Sequence, residues 1–215
     1  MIRLYAEAPF IWQLALRQEF FEPCQELLQL ASAGTIELAL PLTALVETLH
    51  TARLRSTKRN DLNNSWRDEA RQLARTDGIA YQDAARALTE AVLKTAEMAS
   101  DERKDLNNVI TQIGACAKIL LPTIGHFADA YLIEAKGLTP YDALALAGII
   151  EDARNLDVST GRALLALDRK AVEMRKTAGI TEDFKNVGIK VFVTPSELAP
   201  WLATKGVSLV PRSAN

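Results

Sequence analysis

The chain has 215 residues, of which 48% are hydrophobic and 24% charged, a composition typical of one or two globular domains with an ordinary core. Its two cysteines, Cys24 and Cys116, exclude the disulfide framework of a small secreted protein and lack the paired spacing of a zinc site. Lys and Arg total 25 against 27 Asp and Glu, so a global basic field for nucleic acid is excluded and a polyanion would be held locally.

The N-terminal apolar stretch argues against a secretory signal peptide, because it contains Arg3 and Glu7. No apolar run reaches the roughly 18 residues that a transmembrane helix needs. We therefore expect a cytoplasmic protein without a membrane partner.

Short apolar runs, several of them bounded by Gly, Pro or Asp, predict five strands buried on both faces. In chain order they are 2–6, 36–40, 118–121, 163–167 and 189–193. Helical periodicity predicts helices at 21–33, 42–54, 81–99 and 141–153. Strands separated by helices require crossover connections, so the predicted fold class is α/β with a mainly parallel sheet covered by helices.

The segment 56–106 is polar and helix-prone and contains no strand pattern, which predicts a helical insertion in the α/β core. We expect a single domain over 1–204 that includes this insertion. Residues 205–215 have the composition of a C-terminal tail.

The sequence argues against histidine-based hydrolysis, because His50 and His126 are its two histidines and it contains no nucleophile elbow. Glycine-rich phosphate loops of the two common types are also missing from the sequence. We expect structural roles for both histidines.

Four carboxylates follow or flank the predicted strands. Glu7 comes directly after the first strand, and Glu47 lies in the helix that follows the second. Asp168 follows the fourth strand, and Asp142 opens a helix after Thr139-Pro140. Because the carboxyl ends of parallel strands meet at one edge, we expect these acids to lie together. Carboxylates that lie this close repel one another, so we expect a cation among them, and oxygen ligands favour Mg²⁺ or Mn²⁺.

Each acid also has a simpler explanation. Asp142 occupies a position where an acid stabilises the helix N-terminus without any catalysis. Glu47 could face outward from its helix, and Asp168 could belong to a turn with surface ion pairs to Arg169 and Lys170. The predicted convergence of all four favours the cation site.

In these segments the chain resembles the PIN domain family, whose fold is that of metal-dependent ribonucleases and includes many prokaryotic toxin nucleases. The resemblance rests on a first strand ending in Glu7 and a small residue, and on a second strand followed by Pro41 and the helical Glu47. It continues with the acid-Ala segment at Asp142, its apolar helix, and the strand that precedes Asp168. It covers most of the chain outside the helical insertion and implies a three-layer α/β fold.

The resemblance further implies a site and an activity. Glu7, Glu47 and Asp142 would be the principal metal ligands, and Asp168 a lesser or water-mediated one. The bound Mg²⁺ or Mn²⁺ would activate a water that attacks an RNA phosphodiester. A toxin nuclease would also have an antitoxin protein as partner. Independently of the resemblance, the apolar face of the helix predicted at 81–99 could pack internally or across a homodimer.

Basic residues that could contact the RNA backbone follow the Glu47 helix. They are Arg53, Arg55, Lys58 and Arg59, in a stretch without acids. The alternative is a solvated helix C-terminus, where basic side chains are stabilised by the helix dipole.

Two further readings stay open. Pro9, Ala166 and Ala171 stand where the family commonly has other residues, which favours a catalytically weakened PIN-like module that binds protein or RNA. A nuclease for flapped or single-stranded DNA would use the same acids.

Overall fold

The computed structural model describes residues 1–209 and contains one sheet with helices between and after its strands. Its strands are β1 (Ile2–Ala6), β2 (Glu37–Pro41), β3 (Lys118–Leu120), β4 (Gly161–Leu165) and β5 (Ile189–Phe192). Its helices are α1 (Ala8–Ala15), α2 (Phe21–Ser32), α3 (Leu42–Leu73), α4 (Ile79–Cys116), α5 (Ile124–Glu134), α6 (Pro140–Arg154), α7 (Arg169–Thr177), α8 (Ile180–Asn186) and α9 (Pro195–Ala203).

All neighbouring strands are parallel, and the sheet order is β3-β2-β1-β4-β5. The central strand β1 sets the register, since Tyr5 pairs with Ala39 of β2 and Leu164 of β4. These three residues face the core formed with α5, α6 and α8. The alternate residue Leu4 is also fully buried, so helices cover both faces of the sheet. The predicted α/β class with a parallel sheet is therefore confirmed.

The five predicted strands are all present, each within two residues of its expected bounds. The predicted ends of two helices are wrong. The helix expected at 42–54 continues as α3 to Leu73, and the one expected at 81–99 is part of the 38-residue α4. These helices continue because neither Gly nor Pro interrupts α3 and the first Gly of α4 is Gly114. Their polar composition gives a weak periodic signal, so the sequence does not show where they end.

The described chain divides into two compact units. One contains the sheet and comprises residues 1–48 with the chain from 108 onward, and the other comprises residues 49–107. In the second unit α3 and α4 pack on one another, with a 2.7 Å hydrogen bond from Thr95 Oγ1 to Asn63 Oδ1. Among residues 1–209, no helix combines the length and apolarity needed to cross a bilayer. Residues 210–215 of the expected tail lie outside the described residues.

Candidate functional site

The carboxyl edge of the sheet carries the four acids that the sequence singled out, which we call the acid centre (Glu7, Glu47, Asp142 and Asp168). Glu7 directly follows β1, and Asp168 lies three residues beyond the end of β4. Glu47 is in the second turn of α3, which begins where β2 ends. Because β1, β2 and β4 are parallel neighbours, these three acids emerge at one edge. Asp142 joins them from the first turn of α6.

Glu7 is buried, with 8% of its surface exposed, and forms the tightest contact of the centre. Its Oε1 and Oε2 accept hydrogen bonds from Nη2 and Nη1 of Arg175 at 2.7 and 2.9 Å. Although Glu7 is the N-cap residue of α1, its side chain makes no capping hydrogen bond. This carboxylate is therefore committed to an ion pair rather than to the helix.

Asp142 serves two contacts at once. Its backbone N–H donates to Thr139 Oγ1 at 3.2 Å, and the Thr139 hydroxyl donates to Asp142 Oδ2 at 2.7 Å. Its other oxygen, Oδ1, lies 3.7 Å from Arg175 Nη2. The capping role and the place in the acid centre are thus compatible, because each uses a different oxygen.

Asp168 is exposed and caps α7. Its Oδ1 accepts hydrogen bonds from the backbone N–H groups of Lys170 and Ala171 at 2.9 and 3.2 Å. These bonds satisfy two of the orphan donors at the helix start. The turn therefore depends on backbone capping, rather than on the ion pairs with neighbouring basic side chains considered from sequence.

Glu47 lies within electrostatic range of the other three acids. Burial raises its pKa, and the nearby charges of Asp142, Glu7 and Asp168 raise it further, while Arg175 opposes them. The side chain still reaches solvent, so water screens part of this repulsion. The outward orientation considered from sequence does not take Glu47 out of range of the other three acids.

Arg175 is the residue that sequence reasoning missed. It lies in α7, only 4% exposed, and its Nε has no hydrogen-bond partner among the described residues. Burial lowers its pKa, but the ion pair and hydrogen bonds with Glu7, helped by Asp142 and Asp168, outweigh burial and raise it. The available signal was spacing: Arg175 follows Asp168 by seven residues, two helical turns, and so shares its face.

The predicted RNA-contacting residues lie in the helical unit, within α3. Arg59 and Arg55 contact Glu102 of α4 at 2.5 and 3.5 Å, and the pKa of Arg59 is raised by its hydrogen bond to Glu102. Arg53 and Lys58 are exposed. The alternative of a helix C-terminus is wrong, because α3 continues to Leu73.

The donor set of the acid centre suits a hard divalent cation, since it consists of carboxylate oxygens alone. In the arrangement described, however, both Glu7 oxygens face a guanidinium. Within residues 1–209, no three His, Cys, Asp or Glu side chains are grouped closely enough to hold a metal ion. The chemistry of the residues fits the ion, but Arg175 stands among them.

Pro9 and Ala166, two of the residues that differ from the PIN pattern considered from sequence, occupy ordinary structural positions. Pro9 is in the first turn of α1, where a missing N–H costs nothing. Ala166 donates its N–H to the Phe192 carbonyl at 2.9 Å.

His126 forms a capping box with Thr123 and contacts Glu151, the structural role expected from sequence. His50 is exposed on α3.

Comparisons with known proteins gave no relatives. No family model matches the chain, and no curated protein or solved structure does either.

Proposed function

We propose that the chain is a PIN-like domain and a Mg²⁺- or Mn²⁺-dependent ribonuclease that cleaves RNA at the acid centre. The observation that carries this proposal is the convergence of four carboxylates at the carboxyl edge of a parallel sheet, seen in the effect of Asp142, Glu7 and Asp168 on Glu47. Open parallel sheets bind ligands at this edge. Like charges this close oppose folding unless a cation lies among them.

The residues have distinct roles in this proposal. Glu7, Glu47 and Asp142 would hold the ion, with Asp168 contributing directly or through water. When bound, the divalent ion supplies an activated water and stabilises charge on the phosphate. Asp168 also fixes the start of α7 through its backbone contacts, which places Arg175 beside Glu7. Arg53, Arg55 and Lys58 are the exposed members of the proposed RNA-contacting set.

The experiment is cleavage of structured and unstructured RNAs with and without Mn²⁺, for wild type and Asp142→Asn. We expect Asp142→Asn to abolish Mn²⁺-dependent cleavage with little change in melting temperature, because an amide oxygen can still accept the Thr139 bond. Glu197→Gln is the matched control, since Glu197 occupies the same first-turn position after Thr194-Pro195 in α9. Single-stranded and flapped DNA in the same panel test the DNA nuclease reading.

A second candidate function, a catalytically weakened module that binds protein or RNA, is favoured by the Arg175–Glu7 pair. An internal cation already neutralises part of the acid centre, so the fold does not require a metal for that purpose. Calorimetric titration with Mn²⁺ separates the candidates, because a module without a metal site gives no saturable heat.

A homodimer is proposed through the outer face of α5. Ile124, Phe127 and Tyr131 lie three and four residues apart on this helix and are 90%, 59% and 73% exposed. The row offers roughly 500 Å², which is the size of a weak interface. A second copy would cover this row with an identical one. Toxin activity, with an antitoxin as partner, remains a narrower proposal.

A further inference from the structure

The acid centre contains one cation among its four carboxylates, and that cation belongs to the chain itself. Arg175 donates to both oxygens of Glu7 and its Nη2 lies 3.7 Å from Asp142 Oδ1. Only 4% of the Arg175 surface is exposed, and its Nε has no hydrogen-bond partner among the described residues. Because one of its N–H donors is unused, the Arg175 guanidinium is held in the centre mainly by its attraction to the carboxylates.

A divalent ion and this guanidinium would compete for the same atoms. A carboxylate that accepts a bidentate pair from arginine has both oxygens engaged. A hard cation needs those oxygens at about 2.0–2.6 Å. Two cations at the buried Glu7 carboxylate would also repel each other.

We propose that Arg175 and a divalent cation are alternative occupants of the acid centre, so that Arg175 must leave Glu7 before the ion binds. The inference rests on the proposed function insofar as it takes the centre to be a metal site. It adds a regulatory element: metal affinity is set by the difference between two cations, one of them tethered to α7. Without the ion, the arginine keeps the acids paired and the fold intact.

The consequence is that removing Arg175 tightens metal binding. Competition with an internal occupant reduces apparent affinity by the fraction of molecules in which the site is open. We expect Arg175→Gln to lower the Kd for Mn²⁺ about tenfold or more. Arg175→Lys keeps the charge but loses the fork of two donors, so its Kd should lie between the two.

The test is isothermal titration of the full chain with Mn²⁺ alone, for wild type, Arg175→Gln and Arg175→Lys. Lys176→Gln is the matched control, because Lys176 is the next residue of α7, is exposed, and its removal changes net charge equally. We expect the Kd of Lys176→Gln to stay within about twofold of wild type. An Arg175→Gln protein that is folded and binds Mn²⁺ no more tightly than wild type overturns the proposal.

Loss of folding in Arg175→Gln is also informative, since the proposal states that the ion can replace the guanidinium. Thermal unfolding in EDTA and in Mn²⁺ measures this. We expect Mn²⁺ to restore most of the melting temperature lost in Arg175→Gln, and to raise that of wild type less. A variant that stays unfolded at every Mn²⁺ concentration contradicts alternative occupancy.

RNA cleavage by the same proteins keeps the two proposals apart. Tighter Mn²⁺ binding by Arg175→Gln, with no cleavage in any variant, leaves alternative occupancy standing and removes the ribonuclease proposal. Mn²⁺-dependent RNA cleavage, with equal Mn²⁺ affinities for wild type and Arg175→Gln, supports the ribonuclease proposal and removes alternative occupancy. If neither wild type nor Arg175→Gln binds Mn²⁺, the inference is overturned.

Discussion

Arg175 and Glu7 are 168 residues apart in the chain and form a buried bidentate ion pair, with N···O distances of 2.7 and 2.9 Å. The pair joins α7 to the carboxyl end of the central strand β1. It also reduces the repulsion among the four carboxylates, because the Arg175 guanidinium supplies part of the neutralising charge from within the protein.

The first prediction concerns the free energy of this pair. Glu7→Gln and Arg175→Gln should each lower the free energy of unfolding by about 3 kcal/mol, because either change leaves a buried charge without its partner. The double variant should lose about 2 kcal/mol less than the sum. Urea unfolding in EDTA measures all three. The exposed pair Glu182–Lys185 provides a control cycle, with a coupling near zero.

The second prediction concerns pH. Neighbouring acids and burial raise the pKa of Glu47 above the ordinary value of 4.5, so its ionisation opposes folding. Its favourable contribution is complete below the unfolded pKa and is lost as pH rises through the folded pKa. Glu47→Gln should therefore raise the melting temperature at pH 7 by about 2 °C and lose this gain near pH 4.

The control for Glu47 is a glutamate with the opposite shift. Lys94 lowers the pKa of Glu90 through a 2.6 Å ion pair on α4, so Glu90→Gln should give no gain at pH 7. Equal melting temperatures for wild type and Glu47→Gln from pH 4 to pH 7 would show that the acids do not act on Glu47.

The third prediction concerns the two thiols. Burial raises the pKa of Cys24 to about 12, and none of its side chain is exposed, whereas Cys116 is partly exposed at the end of α4. The reactive species is the thiolate, so a disulfide reagent at pH 8 should label one thiol in the native chain and two in urea. Rapid native labelling of Cys24, identified by peptide mass, would contradict the packing of α2.

The fourth prediction concerns the α5 row. Sedimentation equilibrium should give a dimer for wild type and a monomer for Phe127→Glu, because a carboxylate at its centre would be buried without a partner. Val158→Glu makes the same change at a residue that is 93% exposed and outside the row, and should stay dimeric. A monomeric wild type at tens of micromolar would remove the proposal.

Local patterns in the sequence determined the strands, the α/β class and the positions of the four acids along the chain. Runs such as 2–6 and 163–167 identify strands because burial on both faces leaves an unbroken apolar signature. Thr139-Pro140 and Thr194-Pro195 locate helix starts, since capping depends on residues a few positions apart. The lengths of α3 and α4 were less accessible, because a polar helical segment carries a weak periodic signal.

Only the tertiary structure decided what neutralises the acid centre. Sequence reasoning assigned that task to a metal, because repulsion among Glu7, Glu47 and Asp142 can be foreseen from strand order while the partner of each acid cannot. Arg175 is one of several basic residues in α7, and its seven-residue spacing from Asp168 shows which face it shares but not that it pairs with Glu7. An ion pair across 168 residues exists only once the sheet has set the distance between β1 and α7, because electrostatic energy depends on separation in space and not along the chain.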